Sequence, residues 1–156
     1  MSRKFTGNTL VLATHNAGKV REIAALLSPY VPSFMSAADL KLPEPEETET
    51  TFVGNAILKA RAAAMASGLP ALADDSGLAV EALNGAPGVY SARWAVEQGG
   101  YDLAMAKMND ILKEKDNRRA ASSCVLALAF PGGYVETAEG RIEAEIVDPP
   151  RGGNGF

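Results

Sequence analysis

Two adjacent acids, Asp74 and Asp75, followed by Ser76 and Gly77, are the residues of this chain best suited to chemistry. A carboxylate pair attracts a cation. Side chains of a strand alternate between faces, so one acid can point into a cleft while its neighbour braces the backbone or binds the same ion through water. The spacing predicts a short apolar strand, Leu69 to Ala73, giving way to a turn at 74–77. Taken alone, an Asp-Asp-Ser-Gly run is more often such a turn than a site.

Two further groups could serve an anionic ligand. Thr14-His15-Asn16-Ala17-Gly18-Lys19 lies between an apolar strand and a helical pattern, where unpaired N–H groups at a helix start attract anions. Thr14 and Asn16 offer hydrogen bonds, Gly18 a close backbone approach and Lys19 charge. The run lacks the glycines and the Ser/Thr of a Walker loop, and a plain helix-capping loop fits its spacing equally well. The other group is Glu46-Glu47 followed by Thr51, Asn55 and Lys59, one polar stripe at i, i+4 spacing. Alone, that stripe reads as a solvated helix face. Together, two lysines, a glutamate and an aspartate pair are parts that Mg²⁺-assisted phosphoryl chemistry uses.

Bulk properties narrow the field. With 156 residues, 47% hydrophobic and 22% charged, the chain reads as one domain with a real core. A formal charge of −4 and a pI near 5.0 argue against a nucleic-acid polymer as partner. The single Cys124 lies in an apolar run and reads as a packed thiol, and the single His15 reads as a loop residue. Without a Cys/His cluster, any metal is expected to be oxygen-ligated. No leader-like segment or span of about 20 apolar residues stands out, so a cytoplasmic protein with no membrane contact is expected. The run Pro149 to Phe156 has a loop composition, and the natural protein is expected to continue past it.

These residues need elements to position them. Thr9–Ala13 reads as a buried parallel strand, and Val20, Ile23, Ala24 and Leu27 mark a helix stopped by Pro29. A second strand is expected at Val31–Met35, an acidic loop at 42–47, and an alanine-rich helix from Thr50 or Thr51 to Ser67, ended by Gly68. Leu78–Leu83 reads as a strand, and 102–115 as an amphipathic helix. Ala121–Phe130 and Tyr134–Val147 flank Pro131-Gly132-Gly133 as an antiparallel hairpin. The fold class is therefore α/β, a mixed β-sheet flanked by helices.

Four motifs in one order carry a resemblance. They are Leu12 to Lys19; Glu46-Glu47 with Phe52 and Asn55 to Ala60; Ala73 to Leu78; and Ala86 to Arg93. They resemble the signatures of the inosine triphosphate pyrophosphatase family, the non-canonical purine NTP pyrophosphatases, over about residue 10 to Phe156. The resemblance implies an elongated fold, a homodimer, and Mg²⁺-dependent hydrolysis of ITP, dITP and XTP to a nucleoside monophosphate and pyrophosphate. It places substrate contacts at Thr14, His15, Asn16, Ala17, Gly18, Lys19, Asn55, Lys59 and Ser76. It assigns Mg²⁺ to Glu47 and Asp75, with Asp74 as an additional ligand candidate. Asp75 becomes the proton acceptor for the attacking water, and Phe156 the aromatic that packs on the base. Two other readings stand beside it: a nucleotide-binding or regulatory module without turnover, and a phospho-receiver domain, for which no acceptor aspartate on a separate central strand is found.

Overall fold

The computed structural model describes residues 3–152. Its strands are β1 (Thr9–Leu12), β2 (Ser33–Ser36), β3 (Ala71–Val80), β4 (Arg119–Ala129) and β5 (Val135–Glu145). Its α-helices are α1 (Ala17–Leu27), α2 (Phe52–Ser67), α3 (Ser91–Gln98) and α4 (Tyr101–Leu112). The strands form a single sheet in the order β2-β1-β3-β4-β5. β1 is parallel to both β2 and β3, in register Leu12 to Ser36 and Leu12 to Leu72. β4 and β5 are neighbours joined by a five-residue loop, which fixes them antiparallel. The sheet is mixed, as expected.

The chain divides into two compact units, and β3, β4 and β5 each contribute residues to both. Among the described residues, the first holds 3–75 and 125–139, the second 76–124 and 140–152. In the second, Val80, Met108, Leu112 and Ala120 form a buried cluster bordered by Trp94 and Ile146.

Strand alternation organises the first unit. Val11, Ala71, Ala73, Val125, Ala127 and Ala129 cluster with Ala56, Ala60, Ala63 and Ala64 of α2. Leu10, Leu12 and Leu72 cluster with Val20, Ile23, Ala24 and Leu27 of α1, and with Leu126 and Leu128. Odd and even positions of β3 thus face different helices. The alanines let α2 lie close to the sheet. Its ends are cut by capping: Thr51 Oγ1 accepts from Gly54 N at 3.0 Å, and Gly68 closes the helix at φ 70°, a conformation that favours glycine.

The sequence reading needs four corrections. Asp74 to Gly77 is not a turn: β3 runs unbroken from Ala71 to Val80, with its acids buried. Gly77 and Ser76 carry turn propensity, but pairing of β3 beside β4 in the sheet overrides it. The expected strand over 78–83 ends at Val80, and Glu81–Leu83 is a single 3₁₀ turn leaving through Asn84 at φ 54°. Residues 88–98, given no element from sequence, form a 3₁₀ turn and α3. Cys124 is exposed, because β4 alternates and places 122 and 124 opposite the buried Ser123 and Val125.

Ala60 tests this packing. Overfilling its fully buried position with Ala60→Leu is expected to cost about 1–3 kcal/mol and lower the urea midpoint. An unchanged midpoint would mean that α2 does not lie close on the sheet.

Candidate active site

The site begins where β1 ends. Ala13 N donates to Leu72 O at 2.8 Å, the last sheet bond of β1 towards β3, after which β1 departs into the 14–16 loop. β3 continues past that edge without β1, and its next residues are Ala73, Asp74 and Asp75. The chain goes from β1 through α1 to β2 on one side, and from β2 through α2 to β3 on the other. This is a topological switch point, the place where open α/β sheets bind ligands.

Alternation then separates the two acids. Asp74 shares parity with Leu72 on the α1 side, and its Oδ2 lies 2.8 Å from Lys19 Nζ. Asp75 shares parity with Ala73 on the α2 side, and its Oδ1 lies 3.3 Å from Lys59 Nζ. Lys59 Nζ also donates to Glu47 Oε1 at 3.0 Å. Asp74 and Asp75 are only 7% and 6% exposed, so each carboxylate needs a cation on its own face. Asp75 Oδ2 is buried and has no hydrogen-bond partner among the described residues.

Burial and charge set the protonation balance. Burial pushes the Asp75 carboxyl above its ordinary value; the Lys59 ammonium opposes this and the Glu47 carboxylate adds to it. The Asn55 side chain also favours the anion, without reaching Oδ2 at hydrogen-bond distance. For Lys59, burial alone would lower the pKa. The hydrogen bond to Glu47 and the charges of Asp75, Glu47 and Asp74 together outweigh it, and Lys59 is raised above 10.5.

The polar stripe of α2 is not a solvated face. Asn55 is 1% exposed; its Oδ1 accepts from Glu49 N at 3.0 Å and its Nδ2 donates to Glu49 O at 3.2 Å. That double bond clasps the segment that carries Glu47. Lys59 is 15% exposed at its side chain. Two residues that the sequence reading passed over support the clasp. Glu49 is used through its backbone, which no side-chain pattern reveals. Gly54 has no Cβ because one there would stand 2.8 Å from Glu49 Cβ and 3.0 Å from Thr51 Oγ1. A glycine in the first turn of a helix beside an acidic loop was the available signal.

The 14–19 loop takes the capping form. Asn16 Oδ1 accepts from Gly18 N at 2.9 Å and Lys19 N at 3.2 Å, and Thr14 Oγ1 accepts from Asn16 N at 3.1 Å. A Cβ on Gly18 would meet Asn16 Oδ1 at 3.1 Å, so glycine keeps this cap uncrowded. His15 and Ala17 are exposed beside it, and Lys19 reaches Asp74. Ser76 follows Asp75 in β3, half-buried, and falls in the second unit. Phe156 lies outside the described residues. Glu47 and Asp75 therefore converge on one ammonium and Asp74 does not join them; among the described residues no group of three or more His, Cys, Asp or Glu is placed to hold a metal.

These features define an α/β protein with an acid-and-lysine site at a sheet switch point. The chain belongs to the Ham1 family, which it matches over residues 10–156. A dITP/XTP pyrophosphatase of Rhodospirillum centenum (strain ATCC 51521 / SW) is 60% identical over 157 residues, covering 99% of this chain and 77% of the relative. One of Ruegeria pomeroyi (strain ATCC 700808 / DSM 15171 / DSS-3) is 52% identical over 161 residues, covering 100% and 79%. Among solved structures, a HAM1 protein from Coxiella burnetii superposes with TM-score 0.81 at 41% identity, over 95% of this chain and 77% of that one. The resemblance read from the four motifs is borne out, and so is the α/β fold class. No helix among the described residues is long and apolar enough to cross a membrane.

The raised pKa of Lys59 has a consequence for stability. A group whose folded-state pKa exceeds its unfolded value stabilises the fold fully below the unfolded pKa and loses that contribution as the pH rises through the folded one. Urea midpoints of the wild type are expected to fall above about pH 10.5, the ordinary lysine value. Lys59→Met should show less of this alkaline loss; equal losses in both proteins would disprove the ion pairing.

Proposed function

We propose that this chain hydrolyses non-canonical purine nucleoside triphosphates, ITP, dITP and XTP, to the nucleoside monophosphate and pyrophosphate. The observation that carries the reading is Asp75: a buried carboxylate with one free oxygen, raised pKa and an acidic neighbour in Glu47, just past the carboxyl end of the parallel strand β1. The names of the bacterial relatives support the substrate class.

Mg²⁺ fits the donor set. Glu47 and Asp75 offer oxygens only, and Asp75 Oδ2 is an orphaned buried atom that gains from a cation. With two protein carboxylates, the remaining ligands would come from water and substrate phosphate, the usual arrangement for this ion. Bound there, Mg²⁺ supplies a more acidic water and neutralises phosphate charge.

The chain's own residues do the rest. Asp75 accepts the proton of the attacking water as its oxygen bonds to the α-phosphorus and the α–β bridging bond breaks, releasing pyrophosphate. Lys19 and Lys59, on either side of β3, hold the phosphate oxygens, and Thr14 and Asn16 present their side-chain polar groups beside them. Asn55 keeps the Glu47 segment in place through Glu49. The selection against adenine follows from hydrogen bonding: a donor facing a 6-oxo group is left opposing another donor when a 6-amino group enters. The same reading carries a cytoplasmic homodimer.

Asp75→Asn keeps the shape but cannot accept the proton. Pyrophosphate release from ITP or XTP with Mg²⁺ should fall by about 10²–10⁴-fold with unchanged far-UV dichroism. Turnover within a few-fold of wild type would remove Asp75 from its role.

A further inference from the structure

Lys59 stands where a cation would stand. Its ammonium lies 3.0 Å from Glu47 Oε1 and 3.3 Å from Asp75 Oδ1, the two oxygen donors that fit Mg²⁺. The side chain is largely buried, and its contacts with both acids hold its positive charge in that place. The cluster is not neutral even so. Two carboxylates face one ammonium, and Asp75 Oδ2, on a residue 94% buried, keeps an unused lone-pair face.

We propose that Lys59 is an internal counter-ion of the metal site: in the ligand-free protein it occupies the ground between Glu47 and Asp75, and a divalent cation displaces it. This rests on the assignment of Mg²⁺ to those two acids.

An ammonium and a dication cannot both sit within contact distance of buried Asp75 and half-exposed Glu47 without strong mutual repulsion, which the buried side of the pair leaves poorly screened. Without any cation between them, the two acids would repel each other. Lysine solves the second problem at the cost of the first. Its long, flexible stem carries a point charge that can swing away, which a planar guanidinium does less readily. Displacement also has a use, because the released ammonium becomes available to a phosphate only once the metal is in place. Binding of a metal and release of Lys59 are then one coupled equilibrium, and each favours the other equally.

Lys19 does not share this role. Among the described residues its carboxylate partner is Asp74, on the α1 side of β3, away from the Glu47–Asp75 pair. It serves as an internal control.

The test uses the metal alone. Calorimetric titration of MnCl₂ into the full chain at pH 7.5 is compared for wild type, Lys59→Gln and Lys59→Met. In parallel, lysine acylation of the wild type with and without MnCl₂ is mapped by mass spectrometry. Both variants are expected to bind Mn²⁺ about tenfold more tightly than wild type. In the wild type, Lys59 labelling should rise several-fold on adding metal while Lys107 and Lys113 stay constant. Equal or weaker Mn²⁺ binding by the folded variants overturns the inference. So does metal binding that leaves Lys59 labelling unchanged, a result that needs no variant to fold. Absence of Mn²⁺ binding in all three proteins overturns the metal assignment and this inference with it. Pyrophosphate release from ITP by the wild type tests the hydrolase reading separately.

Discussion

Burying two neighbouring carboxylates in the middle of a strand is the constraint on which the site depends. Consecutive residues of β3 face opposite sides of the sheet, so no single cation can satisfy both Asp74 and Asp75. Each side must supply its own. α1 brings Lys19 to one face and α2 brings Lys59 to the other, and both helices are held there by apolar clusters that follow the same alternation. The polar site and the two half-cores are thus one arrangement read at different positions along β3. Shifting β3 by one residue would exchange both acids and both cores together.

α1, α2 and α4 were legible because their signals are local, whereas α3 was not. Thr51 and Gly68 bracket α2, and Asn16 caps α1 through its own Oδ1. Val20, Ile23, Ala24 and Leu27 repeat at helical spacing and do pack as one stripe. The hairpin loop at 131–133 and the early β/α alternation likewise gave the mixed sheet. The acids themselves were found, but their setting was not. An Asp-Asp-Ser-Gly run has turn propensity, and only the neighbouring strand β4 and two lysines, distant in sequence, make an extended buried conformation favourable. Cys124 was misplaced for a related reason: an apolar run in a strand still alternates, and composition does not say which parity is inside.

The site residues fall into three kinds of legibility. Lys19, Asp74 and Asp75 carry charge at telling positions, whereas Lys59 lay in a stripe that alone read as solvated and Glu47 was singled out from Glu46 by the family resemblance. Asn55 looked like part of a solvated stripe, yet its side chain bridges the backbone of Glu49 and fixes the acidic loop. Gly54 and Glu49 act through a missing Cβ and a main-chain amide, and such roles exist only in three dimensions. Thr14 and Asn16 show the reverse case, in which the plain structural reading and the ligand reading use the same atoms. Their oxygens cap the start of α1 in this structure, and the anion cradle proposed there shares those groups.

The separation of the two acid–lysine pairs is most directly tested by carbon-13 NMR titration of the Asp75 carboxyl in wild type, Lys59→Met and Lys19→Met. Asp75 should titrate above the ordinary aspartate value in the wild type, because burial outweighs the help of Lys59. Removing Lys59 should raise it further, while removing Lys19 should leave it nearly unchanged. An Asp75 that titrates below the ordinary value, or that responds to Lys19 as strongly as to Lys59, would contradict the two-faced arrangement of β3.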